Sequence, residues 1–156
     1  MTQIIRSRDI NILGLTEKDL ENRVIVAVGY ANGELLPPYK DCRKKDARRV
    51  MNYLIGKEFR TSRYSLHPAD IHRRFRKLPK LVEIVGALAH GCVLVTAHYF
   101  LEVGSRVYIS PNRVITSRKD RYPPFWVGRI LLAEILSRKQ SRKCLVYGRD
   151  FIFYEQ

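Results

Sequence analysis

The fold turns on how one stretch is read: Lys80-Leu81-Val82-Glu83-Ile84-Val85-Gly86-Ala87-Leu88-Ala89-His90, followed by Val93-Leu94-Val95-Thr96-Ala97-His98-Tyr99-Phe100-Leu101-Glu102-Val103. The first run is apolar nearly all round, starts after Pro79 and ends at Gly91, a residue suited to a left-handed C-cap. It reads as a buried helix. The second run is β-prone and unbroken, Gly104-Ser105 supplies a turn, and Arg106-Val107-Tyr108-Ile109 returns. That pattern predicts a β-hairpin.

Two further helices are expected upstream. Across Lys44 to Phe59, apolar side chains at 47, 50, 51, 54, 55 and 59 follow helical spacing, while Lys45, Arg48, Arg49 and Asn52 fall outside that stripe. The link from Arg60 to Leu66 leads to Pro68, well placed in a first helical turn. Ile71, Phe75 and Leu78 then form a core stripe opposite Arg73, Arg74, Arg76 and Lys77.

Three helices and a hairpin, in that order over Asp41–Ile115, resemble the winged helix-turn-helix superfamily, with the hairpin as wing. The resemblance implies an α+β fold with a winged-helix-like centre and a nucleic-acid partner. The third helix departs from the family's reading helix, offering only Lys80, Glu83 and His90 for polar contact and no Arg, Asn or Gln. Contacts to backbone phosphates, made by the first two helices, are therefore expected in place of base reading.

The organisation expected is threefold: 1–39 as an N-terminal helix and hairpin layer, 40–117 as the basic winged-helix-like unit, and 118–156 as a C-terminal helix and β-hairpin on the same core. Thr16-Glu17-Lys18-Asp19 has the form of a capped helix start. Asn22–Tyr30 is strand-like and runs into Asn32-Gly33, a hairpin signal, with Glu34-Leu35-Leu36 returning before Pro37-Pro38. Near the other end, Phe125–Lys139 reads as a helix, and Cys144–Tyr147 and Phe151–Tyr154 flank a turn at Gly148-Arg149-Asp150.

Charge supports a polyanionic partner. Of 156 residues, 29 are basic and 15 acidic, a net charge of +14. Residues 40–80 hold fourteen basic side chains against four acidic, net +10, whereas 1–39 come to −1. Such a concentration repels itself unless a polyanion or acidic partner lies against it. The expected contacts are Lys44, Lys45, Arg48, Arg49, Arg63, Arg73, Arg74, Arg76, Lys77 and Lys80, with Arg106 on the wing. DNA is favoured over RNA, and neutralising about six phosphates would make affinity steeply salt-dependent. A homodimer is compatible with the pattern.

Residue chemistry points away from catalysis. Cys42, Cys92 and Cys144 lie far apart, matching neither a disulfide framework nor a zinc knuckle. His67 and His72 are five apart, where paired ligands on a helix would want four. No phosphate-binding glycine loop or serine-nucleophile motif occurs. The sequence thus predicts a non-catalytic binding protein without metal or cofactor. No apolar run reaches the roughly 20 residues of a membrane span, and Met1–Arg6 lacks a signal-peptide pattern. A soluble protein of the cytoplasm, or of the nucleoid or nucleus where its nucleic acid lies, is expected.

Two alternatives remain open. The basic face could dock an acidic protein or sit within a nucleoprotein assembly. Ile12-Leu13-Gly14-Leu15-Thr16-Glu17-Lys18-Asp19-Leu20 also resembles the motif of LAGLIDADG homing endonucleases, with Asp19 at the metal-binding carboxylate and Leu20 where that family has glycine.

Overall fold

A computed structural model of the chain describes residues 4–6, 9–31, 34–35, 42–117, 123–139 and 141–155. Its centre is β6 (Leu81–Ala87), every residue of which is buried. Parallel to it run β2 (Val24–Val28) on one side and β7 (Arg106–Ile109) on the other, with Val26 opposite Ile84 and Val82 opposite Val107. β5 (Arg60–Ser62) extends the sheet beyond β2, and the short β8 (Val114–Ile115) pairs with the carboxyl end of β6. On the β7 side come β10 (Asp150–Glu155) and β9 (Arg142–Tyr147), an antiparallel hairpin, and β1 (Ile4–Arg6), parallel to β9. The order is β1-β9-β10-β7-β6-β2-β5 in a sheet of eight strands. A separate two-stranded pair joins β3 (Tyr30–Ala31) and β4 (Glu34–Leu35). The Asn32-Gly33 turn and Pro37-Pro38 lie outside the described residues.

Side chains alternate along the strands, so each face of the sheet collects its own core. Val26, Val28, Val82 and Ile84 face α3 (Pro68–Arg74), α4 (Leu94–Glu102) and α5 (Pro124–Ser137) through Ile71, Phe100 and Leu131. Ile25, Ala27 and Val85 face α2 (Lys44–Leu54) through Val50 and Leu54. On that same face a 3-10 turn (Ile10–Leu13) and α1 (Glu17–Glu21) pack on Leu81, Tyr108, Leu145 and Ile152.

This architecture corrects the winged-helix expectation. The stretch 81–87, expected as a buried helix, is a central parallel strand. Such strands are covered on both faces and lose the alternation that marks a half-exposed strand. Val93–Val103, expected as a strand, contains α4. Its β-branched residues are outweighed by Leu94, Ala97, Phe100 and Leu101, which line one buried helical stripe. With α4 between them, the parallel strands β6 and β7 form a β-α-β crossover and not a wing, so Arg106 opens a core strand. The α+β reading becomes a mostly parallel α/β sheet covered on both faces.

Candidate functional site

The chain leaves β2 through α2 on one face and reaches β5. It returns through α3 on the other face to β6, on the opposite side of β2. The strand order therefore reverses between β2 and β6. In open α/β sheets the crevice at the carboxyl ends of strands, at such a switch point, is where ligands bind. The two strands are closely apposed here: Gly86 has φ +108°, and a Cβ on it would stand 2.1 Å from the Val28 carbonyl oxygen and 3.2 Å from Tyr30 Cε2.

Beyond β6 the chain makes one wide turn, Ala89–Val93, closed by the Val93 amide donating to Leu88 O at 3.2 Å. Gly91 leaves helical geometry inside it (φ −116°, ψ −110°), and α4 follows directly. Cys92 is thereby set at the amino end of α4, only partly buried, and packed against the cores of both faces. A helix amino end favours negative charge that develops beside it. His90 stands two residues earlier in the same turn.

At the start of β3, just past the end of β2, stands Tyr30, 1% exposed, whose hydroxyl has no hydrogen-bond partner among the described residues. Burial, and secondarily Cys42, push its pKa up to about 12, so the phenol stays a neutral donor. Cys42 and Cys144 are buried thiols, and burial pushes Cys144 up to about 12. Only Cys92 of the three combines partial access with a position at the switch point.

Two polar networks elsewhere in the sheet hold the frame. Glu83, fully buried at mid-β6, receives Arg23 Nε at 2.8 Å, Arg113 Nε at 2.6 Å and the Tyr53 hydroxyl at 2.5 Å. Arg113 also reaches Asp150, which accepts from the Tyr108 hydroxyl. Each charge has an opposite partner, the condition for tolerating a buried carboxylate. In the second network Arg142, 1% exposed, donates to Glu155 at 2.8 Å and contacts His98 Nδ1.

The structure divides the expected basic face between the two sides of the sheet. Lys44, Lys45 and Arg48 are exposed on α2, and Arg49 there is committed to Asp46 and to the Asn112 carbonyl. Arg73, Arg74, Arg76 and Lys77 lie on or just beyond α3, across the sheet. Arg73 pairs with Asp70 and Arg74 donates to Thr61 O. Arg63 is exposed after β5, Lys80 bonds Asp19 and Gly14 O, and Arg106 is half-buried. His67 N-caps α3 with its ring 4.9 Å from Tyr99. Among the described residues no group of three or more His, Cys, Asp or Glu is placed to hold a metal.

Cys92 carries no recognisable motif. Its signal was the order strand, Gly-Cys turn, helix, visible only once 81–87 is read as a strand.

The fold defines an open α/β protein with a cysteine at its switch point. Among solved structures it is similar to "YcaC from Pseudomonas aeruginosa with hexane-2,5-diol and covalent acrylamide", at 15% identity over 79% of this chain and 77% of that chain, TM-score 0.44. It is also similar to the YcaC gene product from Escherichia coli, described as an octameric hydrolase of unknown specificity, at 12% identity over 74% and 71%, TM-score 0.40. No protein-family model and no curated protein matches the sequence.

The sheet corrects the functional expectations. A non-catalytic nucleic-acid binder with DNA or RNA as partner required a winged-helix face, and the sheet splits that face in two. The same split removes the continuous surface on which an acidic protein or nucleoprotein would dock. The LAGLIDADG reading fails locally. Ile12–Leu20 is divided between a 3-10 turn, Gly14 at φ +66° and the start of α1, and Asp19 is held in a capping box with Thr16 and by Lys80. No long helix exists there to pair with a copy of itself.

Proposed function

We propose that the protein is a cysteine-dependent hydrolase acting on a carbonyl substrate at the β2–β6 crevice. The observation that carries this reading is the placement of Cys92 at the topological switch point, on the amino end of α4. Cys92 Sγ adds to the carbonyl carbon, and its proton passes to His90. The oxyanion forms beside the positive end of α4. Collapse expels the leaving group, which takes the proton, and leaves a thioester. Water then adds to the thioester, the acid departs and the thiol is restored. Tyr30 supplies a neutral hydroxyl donor for a substrate oxygen.

Limited alkylation with iodoacetamide, mapped by mass spectrometry, together with hydrolysis of p-nitrophenyl acetate, tests the assignment. Cys92 is expected to alkylate well before Cys42 and Cys144. Cys92→Ala is expected to lower ester hydrolysis by at least about a hundredfold while leaving the fold intact. Equal alkylation of the three thiols, or full activity in Cys92→Ala, rejects the reading.

A further inference from the structure

A second concavity, of about 790 Å³, opens at the same edge of the sheet, on the β9–β10 side of β7. Its apolar lining includes Leu132 of α5 together with Val146 and Phe151 of the terminal hairpin. Around it stand Arg6 at the end of β1, Arg129 on α5 and Arg149 in the β9–β10 turn, all three exposed. Among the described residues no carboxylate lines the space, and Arg6 and Arg149 have no acidic partner.

The guanidiniums of Arg6 and Arg149, from two separate elements at the rim of an apolar floor, are poor neighbours for one another without an anion between them. Guanidinium forks match phosphate and carboxylate oxygens in pairs. The floor meanwhile offers area that water solvates badly. The volume falls within the range of small-molecule sites.

We infer that this groove is a binding site for a small soluble amphiphilic anion, a phosphate or carboxylate head on an apolar body. The head meets Arg6, Arg129 and Arg149, and the body lies on Leu132, Val146 and Phe151. The site is separate from the β2–β6 crevice and does not depend on the chemistry assigned to Cys92.

The protein carries its own reporter. Trp126, the single tryptophan, is 49% exposed, and the Arg129 guanidinium lies 5.5 Å from its ring centroid. Titration of the full chain with monomeric octyl phosphate, followed by tryptophan emission and by calorimetry, is expected to show saturable one-to-one binding. Inorganic phosphate and octanol, each lacking one half of the ligand, are expected to bind at least about tenfold more weakly. Arg6→Gln and Arg149→Gln, which leave the reporter pair intact, should each weaken octyl phosphate by about tenfold with unchanged thermal unfolding. Inorganic phosphate binding as tightly as octyl phosphate overturns the proposal, as does octanol doing so. Binding only to phosphatidylglycerol vesicles and not to the monomeric ligand, or unchanged affinity in both arginine variants, overturns it equally.

Discussion

His98 shows how a single buried side chain ties this fold to pH. Its ring is 3% exposed on α4, its Nδ1 is occupied by Arg142, and burial, then Arg142 and Arg138, lower its pKa to about 4. The imidazole is therefore neutral in the folded protein at pH 7. In the unfolded chain it titrates near its ordinary value of about 6.5. Between those two values the unfolded chain binds the extra proton, so stability is complete above about pH 6.5 and falls as the pH drops toward about 4. The expected loss is about 3 kcal/mol across that window. Urea unfolding at several pH values between 7.5 and 4.5 measures it, and His98→Gln should reduce the slope. An unaltered slope in that variant would place the dependence elsewhere.

At the scale of elements, β6 and β2 meet more closely than side chains allow. Gly86 adopts φ +108° and faces the Val28 carbonyl where a Cβ would intrude to 2.1 Å. Gly86→Ala meets backbone and not a yielding side chain, in a conformation that L residues rarely adopt. It is expected to cost at least about 3 kcal/mol and to disturb the crevice from which Cys92 is reached. The thermal midpoint and the alkylation rate of Cys92 read the two effects separately. A variant as stable and as reactive as the parent would mean that the strands separate freely.

The same strand shows what was legible in the residues. Helices α2 and α5 announce themselves through apolar spacing, and the β9–β10 hairpin through Gly148-Arg149 between apolar runs. Leu81–Ala87 does not, because a strand buried on both faces and a buried helix present the same unbroken apolar run. Glu83, a polar position on the expected helix, is a fully buried carboxylate held by Arg23 and Arg113. No local rule foresees partners 60 and 30 residues away. With 81–90 taken as a helix and the β-prone run 93–103 as a strand, Cys92 has no strand-to-helix turn to give it a role.

For the molecule as a whole, the charge excess was legible but its distribution in space was not. The net charge of +14 is carried on both sides of the sheet, with Arg48 on α2 and Arg73, Arg76 and Lys77 on the α3 side. Mutual repulsion over the whole surface is then a cost to the compact state that salt relieves. The Tm is expected to rise by a few degrees as sodium chloride goes from about 0.01 M to about 0.3 M. A Tm that stays level or falls over that range would show that local ion pairs outweigh the net repulsion.

The pairing of β10 between β7 and β9 carries a consequence for biosynthesis. β7 is complete at Ile109, yet its outer edge is covered only by Phe151–Phe153. A nascent chain that has already delivered β2, β5, β6 and β7 still presents an open strand edge and an incomplete core. Ile4–Arg6 has no strand partner among the described residues until Cys144–Val146 arrives. Open edges and unburied apolar faces are where nascent chains aggregate. Between the completion of Ile109 and the arrival of Phe151 the β7 edge thus stands open, a window in which the growing chain is prone to pair with its neighbours.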